Sequence, residues 1–179
     1  MLDVDNVVMV VIDVQGKLAQ SMYQKEKLFE NTKKLIRGMQ VLEVPVILTE
    51  QNPEGLGMTI PEIKELLPDT EPISKLSFSC LREKSFLGTL EKAGRRQVLL
   101  AGIEAHICVY QTAVDLKNRG YEVQVVVDAI SSRAKENKEI AREKLRGAGI
   151  ELTSVETALF ELLRVAEGEK FKQILKIVK

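Results

Sequence analysis

The chain alternates between two hydrophobic rhythms. Val7 to Ile12 is an unbroken apolar run, mostly β-branched, that stops at Asp13. Such a run suits a strand buried on both faces of a parallel sheet better than an edge strand with one wet face. Leu28, Thr32, Leu35, Met39 and Leu42 then recur at helical spacing, with Lys33, Lys34 and Arg37 on the opposite face, which predicts an amphipathic helix. Val44 to Thr49 reads as the next strand. The polar stretch Glu50 to Gly57, with one proline and two glycines, reads as an exposed loop. Pro61 occupies a favoured first helical position.

The second half repeats the alternation. Pro72 to Lys75 reads as a short strand, Phe86 to Ala93 as a helix closed by Gly94, and Gln97 to Gly102 as a strand. Cys108 to Arg119 reads as a helix stopped by Gly120, and Tyr121 to Val127 as a strand ending at Asp128. Asn137 to Arg146 predicts a helix and Ile150 to Leu152 a last short strand. Ser154 predicts a cap for a helix running to Leu163. The tail carries an apolar stripe, Phe171, Ile174, Leu175 and Val178, suited to an oligomer interface or to packing on the chain's own core. Roughly six strands separated by helices predict a three-layer α/β/α architecture with an open, Rossmann-like parallel sheet.

Composition narrows the partners. The 179 residues suit one compact domain, and 26 basic against 26 acidic residues leave no net charge to hold a polyanion, which argues against nucleic acid. No apolar run approaches the ~20 residues of a membrane span, and Asp3 and Asp5 precede the first one, so neither a membrane nor a signal peptide is expected. Cys80 and Cys108 are expected as reduced thiols in a cytoplasmic setting. With His106 the only histidine, most zinc sites and a Ser-His triad elsewhere are excluded. Neither G-x-G-x-x-G nor the P-loop pattern is present, so no nucleotide cofactor is indicated.

Ligands of open parallel sheets bind beyond the carboxyl ends of the strands, where this reading puts Asp13, Lys75 and Cys108. A carboxylate directly after an apolar strand needs a donor or a cation, although a helix cap would also employ it. Lys75 alone would pass for a surface lysine. Cys108, placed at a helix start, is expected to be stabilised as a thiolate by the free N–H groups and the dipole, and otherwise to be a small core residue. Cys80 has no such setting and reads as structural.

The text around these three residues resembles the isochorismatase-like cysteine hydrolases over nearly the whole chain. Val11-Ile12-Asp13-Val14-Gln15 matches the opening motif, Lys75-Leu76-Ser77-Phe78-Ser79 the lysine motif, and Ala101 to Val109 the cysteine motif, continued by Thr112-Ala113. The loop Thr49 to Gly57 is most similar to the branch of isochorismatase-domain-containing proteins without assigned substrates. The resemblance implies a Cys108-Asp13-Lys75 triad that cleaves a C–N bond of a small amide, ureido or carbamoyl compound through a thioester. It also implies a non-proline cis bond at Ile103-Glu104 and an oxyanion hole from the Glu104 and Cys108 amides. Gln15, Gln51, Phe78 and His106 become candidate pocket residues, and a homo-oligomer is expected.

Departures from the resemblance matter too. The segment Thr49 to Asn52 lacks the histidine of the metal-binding nicotinamidases, so no metal is implied. Isochorismatases proper lack the cysteine, so Cys108 argues against vinyl-ether hydrolysis. Ala105 stands where many amidases carry threonine. A thiol-based redox sensor and an inactive scaffold of the same fold are the competing expectations.

Overall fold

A computed structural model describes residues 1–179. Six strands, β1 (Val7–Ile12), β2 (Val46–Gln51), β3 (Ile73–Lys75), β4 (Gln97–Ile103), β5 (Glu122–Ser131) and β6 (Glu151–Thr153), form one sheet in the order β3-β2-β1-β4-β5-β6. All five pairings are parallel. Between and after the strands lie α1 (Gly16–Gln20), α2 (Lys25–Val41), α3 (Pro53–Leu56), α4 (Pro61–Lys64), α5 (Lys84–Ala93), α6 (Tyr110–Asn118), α7 (Lys135–Gly147), α8 (Val155–Leu163) and α9 (Gly168–Val178).

The apolar run of β1 works as expected: all six residues are buried, and its alternate side chains enter two cores. Val7, Met9 and Val11 join Leu28, Leu35, Ile36 and Met39 of α2 and Leu159 of α8 on one face. Val8, Val10 and Ile12 join Phe86, Leu90, Leu116, Ala141 and Leu145 of α5, α6 and α7 on the other. Ile174 of α9 is fully buried in the first core, and Ile177 and Val178 pack against it. Ile174 and Val178 of the tail stripe therefore fold back on their own chain.

Boundaries differ where tertiary contacts outweigh local pattern. β2 begins at Val46 and runs to Gln51, because pairing with β3 continues through Gln51↔Lys75. Pro53 starts a one-turn helix inside the segment expected to be loop. β5 passes beyond Asp128 to Ser131, since its pairing with β4 shifts register and resumes at Gly102↔Ile130. The expected Cys108 helix begins as a π-helical turn, Ala105–Val109, before α6. Ser154 caps α8 as expected, accepting from Thr157 N at 3.2 Å.

The order of strands reverses between β1 and β4, which opens a crevice at their carboxyl ends. Gly102, at φ +119°, keeps that crevice narrow: a side-chain carbon there would collide with the backbone of Ile12.

Candidate active site

Asp13, Lys75 and Cys108 meet at this crevice, each delivered by a different strand end. Asp13 follows β1 and adopts φ 53°, the left-handed region, in which a non-glycine residue is held only by its surroundings. Those surroundings are specific. Thr49 on neighbouring β2 donates its hydroxyl to Asp13 Oδ1 at 2.8 Å, and the Asp13 amide donates to Thr49 O at 3.2 Å. Asp13 Oδ2 faces Lys75 Nζ at 2.6 Å, both side chains being almost wholly buried.

The Lys75 ammonium is held from several sides. It donates to Gln51 Oε1 at 2.7 Å and to the carbonyls of Ser77 and Phe78 at 3.2 and 3.3 Å, and lies 3.7 Å from Cys108 Sγ. Burial pulls the lysine's pKa down, but the Asp13 carboxylate and nearby thiols outweigh it and the net shift is upward. Lys75 is therefore a fixed cation. Burial raises the Asp13 carboxyl above its ordinary value despite the opposing lysine.

Cys108 is 7% exposed in the π turn. Its thiol is pushed up to about 12, by burial first and by the Asp13 charge second. The thiolate expected from a helix start is thus not the resting form here: the turn's dipole is outweighed by desolvation and a neighbouring anion. Cys108 rests as a thiol in contact with the Asp13 carboxylate.

A cavity of about 110 Å³ adjoins this group, lined by Asp13, Cys108 and Glu104 and walled by Leu18, Leu56, Phe78, Ile103 and Ile107, with Gln51 at its edge. The Ile103–Glu104 peptide bond is cis. The Glu104 amide has no acceptor within the chain. Its carboxylate is engaged elsewhere, accepting from the Arg133 amide at 3.0 Å and from Arg133 Nε at 3.2 Å.

The remaining candidates fare unequally. Phe78 lines the cavity, and Gln51 reaches it while binding Lys75 and donating to Leu76 O at 2.8 Å. Gln15 is fully buried and does not line it; its amide ties Gln51 O, Gln51 N and Gly57 O together and so braces the α3 loop over the site. His106 is also outside the lining, its Nδ1 paired with Ser132 Oγ at 2.9 Å. Sequence reasoning missed Thr49, whose hydroxyl orients the carboxylate, and the apolar wall from Leu18, Leu56, Ile103 and Ile107. The wall comes from three separate segments, so no local pattern announces it. No three His, Cys, Asp or Glu side chains converge into a metal-binding group.

Residues 7–157 match the isochorismatase domain. The chain belongs to the isochorismatase family. Among its relatives, a secreted isochorismatase effector of Phytophthora sojae is 39% identical over 176 residues, 96% of this chain and 84% of that protein. Isochorismatase domain-containing protein 2 of Danio rerio is 38% identical over 172 residues, 96% and 86% of the two chains. A solved structure described as a MAR1 ribonuclease from Caenorhabditis elegans superposes with a TM-score of 0.92 at 36% identity, covering 99% of this chain and 91% of that one. Family membership makes a hydrolase role the natural context for the site. No helix is long and apolar enough to cross a membrane.

Proposed function

We propose that residues 1–179 form a single isochorismatase-like domain acting as a cysteine hydrolase on the C–N bond of a small amide, ureido or carbamoyl compound. One observation carries the reading: a buried ammonium stands 2.6 Å from a carboxylate and 3.7 Å from a thiol beside a small, mostly apolar cavity. Cys108 Sγ attacks the carbonyl carbon as Asp13 takes its proton, so a sulfur–carbon bond forms without a free thiolate building up beforehand. The Glu104 and Cys108 amides receive the oxyanion. Asp13 returns the proton to the leaving nitrogen, the C–N bond breaks, and an amine or ammonia departs. Water, deprotonated by Asp13, then cleaves the thioester to a carboxylic acid and the thiol. Lys75 keeps Asp13 anionic between steps and lies close enough to offset charge developing on sulfur.

The lining also supports a substrate class. It holds no Lys or Arg, and its carboxylates are committed to Lys75 and Arg133, so a short, uncharged acyl group fits and an anionic one does not. The same features give no purchase for a polynucleotide, so the ribonuclease description attached to one neighbour is not carried over. A peroxide sensor needs an exposed, acidic thiol, whereas Cys108 is 7% exposed and its thiol is pushed up to about 12. Phe78, 54% exposed on the cavity wall, and Leu76, 77% exposed two residues before it, support assembly with further copies as part of the proposal.

The test is a panel of small neutral amides, ureas and carbamates, followed by intact mass after acid quench. The reading expects an acyl adduct on Cys108 that disappears in Cys108→Ala. Turnover that survives Cys108→Ala would overturn it.

A further inference from the structure

A second cavity, of about 290 Å³, lies between the starts of α2 and α7 and shares no lining residue with the Cys108 site. Its walls concentrate cations in a chain with no net charge: Lys27 from α2, and Lys135, Lys138 and Arg142 from α7. Two acids face them, and both are engaged. Glu139 pairs with Lys135 at 3.6 Å, while Asp128 Oδ1 accepts from the Val155 amide at 3.0 Å. Lys27, Lys138 and Arg142 form no ion pair.

Such crowding is unfavourable unless something fills the space. Arg142 Nε is buried with no acceptor, a rare state for a charged donor. Burial and then the Lys27 and Arg142 charges press the Lys138 ammonium toward losing its proton, with only Asp128 opposing. Neither helix supplies a side-chain cap of its own: Gln24 and Ala134 precede α2 and α7 without one. Uncapped starts of two long helices add to the positive potential of the four side chains. Tyr23 contributes a phenol at the rim, its backbone pinned by Ser131 Oγ, which donates to Tyr23 O at 2.6 Å.

We propose that this cleft binds a phosphate dianion, either free or as the head of a small phosphomonoester. Three unpaired cations approaching from two helices match a tetrahedral oxyanion, which accepts charged hydrogen bonds in several directions at once. The volume exceeds what a bare phosphate occupies, leaving room for a few further atoms over Val127 and Tyr23.

Thermal unfolding and ³¹P line broadening of the full chain would be followed in inorganic phosphate and in phenyl phosphate, with chloride holding ionic strength constant. The expected result is a melting temperature that climbs with phosphate. Affinity is expected to fall at least about tenfold in Lys27→Ala/Lys138→Met and in Arg142→Gln, two variants that cover each other against misfolding. Tighter binding of phenyl phosphate assigns a phosphomonoester, and equal binding assigns free phosphate. A melting temperature indifferent to phosphate at constant ionic strength overturns the site, as does equal phosphate affinity in folded variants.

Discussion

The two cysteines occupy neighbouring regions with nearly the same electrostatics and opposite prospects. Both thiols are pushed up by burial first and by the Asp13 carboxylate second, Cys80 to about 11 and Cys108 to about 12. Acidity therefore does not favour Cys108 over Cys80. Cys80 is fully buried, though, its sulfur 4.0 Å from the Thr49 hydroxyl and its amide donating to Thr112 Oγ1 at 3.1 Å. Cys108 lines the cavity, with the ammonium on one side and the Glu104 amide, free of any acceptor, among the lining residues. What separates them is access and the position of the groups that would receive a proton and an oxyanion. Acidity at rest does not rank nucleophiles when a carboxylate sits alongside one of them.

The widest test of that contrast is deletion of each sulfur in turn. Cys108→Ala is expected to lower turnover of any amide substrate by a factor of 10⁴ or more, on the order of what removing a nucleophile costs elsewhere, while Cys80→Ala keeps most of it. Single-turnover kinetics on both variants, with circular dichroism to establish folding, decides the matter. Equal losses would erase the distinction.

Asp13→Asn separates acidity from catalysis. Removing the anion lets Lys75 act unopposed on the thiol, so the Cys108 pKa falls from about 12 and alkylation by iodoacetamide at mildly alkaline pH speeds up. Turnover should nonetheless drop by roughly 10²–10⁴, the usual worth of a positioned base. In the unaltered protein the acid limb of the rate profile is expected to belong to Asp13. Burial holds its carboxyl above the ordinary 3.8, so activity is lost as pH falls through a value higher than that, while Lys75, raised above 10.5, stays charged throughout. Turnover left unchanged in a folded Asp13→Asn would contradict the general-base assignment.

Much of this site was legible because its parts end strands. The β-branched run Val7 to Ile12 announces a central strand, so Asp13 falls at a carboxyl end, and the motifs around Lys75 and Cys108 carry the other two groups to the same edge. The π turn was not legible, since nothing in Ala105 to Val109 separates it from an ordinary first helical turn. Gln15 and His106 lie outside the cavity lining for a related reason: being close in sequence to Asp13 and Cys108 says nothing of which way an amide or a ring turns. One is spent on three backbone groups and the other on Ser132. The end of β5 escaped as well, because the residues after Asp128 are held in the sheet by the resumed pairing with Gly102 and Ile103 and not by any alternation of their own.

Lys75→Met shifts the comparison from rate to stability. It leaves the Asp13 carboxylate buried with the Thr49 hydroxyl and the Cys108 thiol but no cation, and an orphaned buried charge typically costs about 3–5 kcal/mol. The burden falls on both thiols together, since Lys75 lowers the pKa of each. Urea unfolding is expected to move to a lower midpoint with an unchanged slope. Restoring the balance with Lys75→Met/Asp13→Asn should recover a large part of that loss, because the double variant has no buried ion left unpaired. A double variant as unstable as the single one would place the cost in packing and not in charge.

The smallest expected effect comes from Cys80→Ala. The sulfur occupies a fully buried position in the core that contains Ile12, Phe86 and Cys108, so its removal costs about 1 kcal/mol for lost burial and the small void. The Thr49 hydroxyl loses only a weak sulfur contact and keeps its bond to Asp13 Oδ1, so the carboxylate stays oriented. Turnover should therefore remain within about twofold while the unfolding midpoint falls slightly. A large drop in turnover at near-normal stability would mean that Cys80 tunes Asp13 through Thr49, and the line drawn between a reactive and a structural thiol would have to move.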